Sequence, residues 1–126
     1  MREKNIISEE EEFLKEDNEG QLAIDVYQTD EAIVIESTVA GVDPDDIDID
    51  ISADSITIRG ERKKVSEVSE DNYLYQECYW GRFSRSVILP QEVDPDEAQA
   101  EFKQGVLRVT LPKLNKGKSR KIKIKS

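Results

Sequence analysis

Histidine is absent from these 126 residues, and cysteine occurs once. Without histidine there is no Ser-His-Asp triad, no Cys-His dyad and no His-bearing zinc site. The lone Cys78 forms no internal disulfide and no CxxC pair, so nothing argues for an oxidising compartment. Apolar runs stop after a few residues, well short of the ~20 that a membrane helix needs. The opening twenty residues are studded with glutamates and contain no apolar signal core. A single domain in the cytoplasm is the resulting expectation.

What the chain has in abundance is acid. There are 28 Asp and Glu against 18 Lys and Arg, a net charge of −10. Residues 113–126 carry seven basic side chains and no acidic one. The first 112 residues therefore hold 11 basic and 28 acidic groups, a balance of −17. A basic tail on an acidic body fits nucleic-acid binding by the tail, or a tail addressed to an acidic surface on another copy of the chain. The body would repel phosphate backbones, which favours the second reading.

The chain divides into three zones. Residues 1–20 form a short acidic arm whose large apolar groups are Ile6, Ile7, Phe13 and Leu14. Ser8-Glu9-Glu10-Glu11 fits a capping box, so a short helix and a disordered acidic arm are both open. Residues 21–113 show period-two alternation: Leu22–Tyr27, Ala32–Glu36, Ile47–Ile51, Ile56–Arg59, Phe83–Leu89, Ala98–Phe102 and Val106–Leu111. Seven short runs rich in Ile, Val and Thr predict antiparallel strands, and hence an all-β sandwich or barrel. Two near-repeats, Val42-Asp-Pro-Asp-Asp46 and Val93-Asp-Pro-Asp-Glu97, predict one helical or 3₁₀ turn each, with Asp as cap and Pro at the first helical position. Gly105 marks a tight hairpin. Val106, Leu107, Val109 and Leu111 follow it as core residues, and Pro112 ends the last strand. Residues 114–126 form a basic tail with one apolar pair, Ile122 and Ile124.

Several site patterns fail on their own chemistry. Asp46, Asp48 and Asp50 mimic the start of an EF-hand loop, but Ile51 stands where Gly is needed and Thr57 where Glu is needed. Gly117-Lys118-Ser119 resembles the end of a P-loop whose first Gly would fall at Pro112. Cys78 lies between Glu77 and Tyr79, neighbours that do not activate a thiol. No catalytic residue, cofactor or metal site is expected, and the chain reads as a non-enzyme.

Four segments, in order, carry a resemblance. Ala100-Glu-Phe-Lys-Gln-Gly105-Val106-Leu107 matches an A-x-x-x-x-G-V-L signature. Gly81-Arg-Phe83-Ser-Arg85 through Leu89-Pro90 matches G-x-F-x-R…LP. Val39-Ala40-Gly41-Val42…Asp46-Ile47 matches L-P-G-V…D-I, with Ala40 where Pro is usual, and Ile122-Lys123-Ile124 matches I-x-I. Together these resemble the small heat-shock protein family and its α-crystallin domain, over about residues 21–126.

The resemblance implies an immunoglobulin-like antiparallel β-sandwich and an ATP-independent holdase chaperone that binds partly unfolded proteins. It implies a dimer that lends a strand around Asn72–Gln76 to the partner's sheet, with Tyr73, Leu74, Tyr75 and Arg85 at that interface. An ordinary hairpin within one chain is the alternative for Tyr73–Tyr75. For Arg85 the choice is between a carboxylate near the contact and a solvated guanidinium. The resemblance further implies that Ile122 and Ile124 anchor the tail in a groove of a neighbouring subunit, giving a larger oligomer. Matching groove residues are Ile47, Ile49 and Ile51 on one strand and Ala98, Ala100 and Phe102 on another. Clients would meet Ile6, Ile7, Phe13 and Leu14. The expected partners are thus further copies of the chain and unfolded proteins, with no nucleic acid and no membrane. A co-chaperone-like adaptor on the same sandwich is the alternative function.

Overall fold

The computed structural model describes residues 20–114 and 121–125. Their strands, in chain order, are β1 (Gly20–Gln21), β2 (Asp25–Gln28), β3 (Ala32–Thr38), β4 (Ile47–Ile51), β5 (Ser55–Arg62), β6 (Gly81–Ile88), β7 (Gln99–Lys103) and β8 (Val106–Pro112). They form two four-stranded sheets, ordered β1-β6-β5-β4 and β2-β3-β8-β7. Alternation explains the layering. Ile56, Ile58 and Phe83 of the first sheet, with Leu89 just after β6, meet Ile33, Ile35, Leu107, Val109 and Leu111 of the second, all of them buried. Val39, Val42 and Val93, on the segments that cross between sheets, close the ends of this core. The result is an immunoglobulin-like β-sandwich.

One expected run is corrected. Leu22–Tyr27 alternates but is not one strand. Gly20–Gln21 pairs in parallel with β6, and Asp25–Gln28 pairs antiparallel with β3 in the opposite sheet. Between them Leu22 turns into the core. Its N–H donates to the Ser84 carbonyl at 3.2 Å, and its own carbonyl accepts from Arg85 Nη1 at 3.0 Å. One parallel pair therefore sits in an otherwise antiparallel sandwich. The last strand ends at Pro112, as expected. The chain then stays tied for two more residues, Lys113 N–H to the Glu31 carbonyl (2.8 Å) and Leu114 N–H to the Glu92 carbonyl (3.1 Å). Buried Lys113 also donates from Nζ to the Thr29 carbonyl at 2.7 Å.

The two Asp-Pro turns form as expected, as 3₁₀ turns at Pro44–Asp46 and Pro95–Glu97. The Asp43 and Asp94 carboxylates accept from the N–H two residues on. The β7–β8 hairpin turns on Gln104 and Gly105, both at positive φ (53° and 79°), a two-residue geometry that matches strand twist. Leu107, Val109 and Leu111 enter the core. Val106 is a correction, because it alternates to the other face and is only half-buried.

Candidate docking edges

Each outer strand of a sheet has one paired side and one open side, and a strand from elsewhere can add there. Among the described residues the sandwich has four such strands: β1 and β4 in one sheet, β2 and β7 in the other. Only three residues, 22–24, join β1 to β2, so these two edges lie together. The edges at the far ends, β4 and β7, therefore lie together as well. The β7–β8 turn agrees with this placement. A Cβ on Gly105 would sit 3.3 Å from the Ala40 Cβ, on the segment leading to β4.

The expected tail groove falls on that second pair of edges. Ile47, Ile49, Ile51, Ala98 and Phe102 are all partly buried and pack against one core. Ala100 differs: it is exposed and outside the cluster. Ile122 and Ile124 lie outside that cluster and are 87% and 94% exposed. A single chain thus contains an edge row of half-covered isoleucines and a separate pair of uncovered ones.

Charge follows the same alternation. Ile47, Ile49 and Ile51 face the core, so Asp48 and Asp50 point outward. Sequence reasoning missed their neighbours. Arg59 on β5 holds Asp50 (Nη1–Oδ2, 2.9 Å) and Lys63 holds Asp46 (3.4 Å). The outward alternation of Thr57 and Arg59 beside that acidic strand was the available signal. Among the described residues, Asp48 has neither an ion pair nor a side-chain hydrogen bond, and no three metal-capable side chains converge.

The second sheet carries its own ionic row. Arg108 Nε donates to Glu36 at 2.7 Å, and its Nη1 lies 3.7 Å from Glu101. The Glu36 hydrogen bond, followed by its charge, pushes the Arg108 pKa upward.

On the other side of the sandwich, β2 is exposed along its whole length. The segment after β5 forms no strand. It contains a 3₁₀ turn at Glu70–Asn72 and otherwise irregular backbone up to Gly81. Tyr73–Tyr75 is therefore not a hairpin within this chain. Tyr73 is half-buried with Lys64 Nζ 4.2 Å from its ring centre, whereas Leu74 and Tyr75 are exposed. This segment folds around a cavity of about 280 Å³ lined in part by Val65, Tyr75, Cys78 and Trp80. Arg85 meets the Leu22 carbonyl, and among the described residues it meets no carboxylate. Ile6, Ile7, Phe13 and Leu14 lie outside the described residues, as does the capping box at Ser8.

An antiparallel-rich two-sheet sandwich whose outer strands each have an open side, followed by an exposed apolar pair, defines a class of immunoglobulin-like β-sandwich domains. Comparison with known proteins narrows the class. The Hsp20/alpha crystallin family model matches residues 25–125, and the chain belongs to that family. It is 39% identical over 101 residues to small heat shock protein C2 of Rickettsia felis, covering 80% of this chain and 66% of the relative. The chain thus spans just under two thirds of that relative's length. It is 32% identical over 106 residues to heat shock protein 16 of Schizosaccharomyces pombe, covering 81% and 74%. Among solved structures, heat shock protein 16.0 from Schizosaccharomyces pombe superposes with a TM-score of 0.71 at 32% identity, over 83% of this chain and 98% of that one.

Proposed function

We propose that this protein is an ATP-independent holdase chaperone that binds partly unfolded proteins and limits their aggregation. The observation that carries the reading is two exposed apolar pairs, Leu74 with Tyr75 and Ile122 with Ile124, in a chain whose sheets have edges open to strand addition. Family membership supports the same reading. Residues 72–76 add to the open edge of β2 in a second copy, giving a strand-swapped dimer with Arg85 near the contact. Ile122 and Ile124 enter the β4/β7 edges of another dimer, giving a larger assembly. The arm (1–20), sandwich (21–113) and tail (114–126) have separate tasks: client contact, dimerisation and assembly. Client contact falls to Ile6, Ile7, Phe13 and Leu14, and to the edges when a tail leaves them. The family and the single free thiol, Cys78, support a cytoplasmic site of action.

Burying two isoleucines contributes ~3–6 kcal/mol gross, and ordering a tail offsets much of that. Tail contacts are therefore exchangeable. The test pairs two measurements on the full chain: scattering from an unrelated protein heated without nucleotide, and assembly mass before and after Ile122→Ala with Ile124→Ala. Suppressed aggregation and a smaller assembly are expected. Undiminished client aggregation at equimolar protein refutes the holdase reading. A single stoichiometric partner in a pull-down would favour an adaptor instead. An unchanged mass refutes the tail anchor.

A further inference from the structure

The tail reads Lys121-Ile-Lys-Ile-Lys125, and β4 reads Ile47-Asp-Ile-Asp-Ile51. Laid along the open edge of β4 with its isoleucines toward the core, the tail of a second copy presents its lysines to the outward carboxylates. Those carboxylates are not equally available. Lys63 holds Asp46 and Arg59 holds Asp50, while Asp48 has no ionic partner among the described residues. Arg59 stands directly across from Asp48 in the strand register, yet its guanidinium reaches diagonally to Asp50. Both members of that pair are largely exposed, at 58% and 74% of their side-chain surface. An exposed pair of this kind is weak and readily exchanged.

Resting on the tail reading above, the geometry points to Arg59 as a charge gate on tail docking. It occupies Asp50, leaves Asp48 as the outward β4 carboxylate without an ion pair among the described residues, and places a positive charge beside an incoming basic strand. Docking is then weaker than the acid content of β4 implies. It is set by an arginine that touches neither tail isoleucine.

The test uses the full chain carrying Ile122→Ala and Ile124→Ala, so that its own tails stay off the edge. A labelled peptide of residues 120–126 is titrated into it and followed by anisotropy. Salt is set at about 0.01 M and about 1 M, where the screening length is about 30 Å and about 3 Å. At low salt Arg59→Gln should tighten binding by about two- to five-fold, the range for one exposed ion pair. Adding Asp50→Asn should return it to the starting affinity, and high salt should erase the difference. Arg82→Gln makes the same charge change on β6, two strands from the edge, and should leave affinity unchanged. Equal tightening by Arg82→Gln overturns the gate in favour of a general charge effect. No change with Arg59→Gln overturns it outright. A peptide that binds no variant, or binds equally well with both isoleucines replaced, refutes the tail anchor itself and the gate with it.

Discussion

Gly60 and Phe83 offer a sharp test of how the sandwich is packed. They face each other in the β5–β6 register. A Cβ built on Gly60 would lie 2.5 Å from Phe83 Cζ, 2.8 Å from Cε1 and 3.1 Å from the Asp46 carbonyl oxygen. The ring has little room to retreat, since Phe83 is 3% exposed and Arg62 stacks 5.8 Å from its centroid. Two effects oppose each other in Gly60→Ala. Restricting the unfolded backbone favours Ala within a strand by about 0.5–1 kcal/mol. Overpacking a filled core costs about 1–3 kcal/mol. With backbone on one side and a buried ring on the other, the steric cost wins, and a net loss of about 1–2 kcal/mol is expected. The assay is urea unfolding of the full chain at one fixed protomer concentration, because assembly adds stability by mass action. Phe83→Leu removes the ring, so the Ala penalty should shrink or vanish in the double variant, a coupling of about 1 kcal/mol or more. A Gly60→Ala chain as stable as the parent, or strictly additive losses, would refute the account.

Two further outcomes follow from the turns. Gly105→Ala places a Cβ at φ +79° and 3.3 Å from Ala40, and should destabilise by about 1–2 kcal/mol in the same unfolding assay. Asp43→Ala removes the cap on the first 3₁₀ turn and should cost about 1 kcal/mol, while Asp43→Asn should recover most of it.

Much of this architecture is legible in the chain because period-two alternation reports directly which side of a strand is buried. Ile56-Thr-Ile58 and Val109-Thr-Leu111 state their own faces. Asp-Pro turns and a Gln-Gly hairpin are local geometry, decided by one or two residues. The resemblance in Ala100–Leu107 and in the tail led to the correct family. Alternation says nothing, however, about which strand lies alongside, since a partner is chosen by contacts far away in sequence. Leu22–Tyr27 shows the gap: its alternation is real, but the chain turns between sheets at Leu22 because β6 and β3 each claim one half of it. Val106 shows it again, placed by register on the half-buried face, apart from the core that its apolar character suggests.

By itself the sequence determined most of the strand runs, the Asp-Pro and Gln-Gly turns, the acidic body and the basic tail. Those features depend on side-chain chemistry and on neighbours a few residues away. Tertiary structure decided that β4 and β7 lie on one side of the sandwich and that β2 is left open on the other. It also decided that Arg59, nine residues from Asp50 along the chain, stands close enough to occupy it. The reason is that pairing across strands is set by the closing of the two sheets over their shared core.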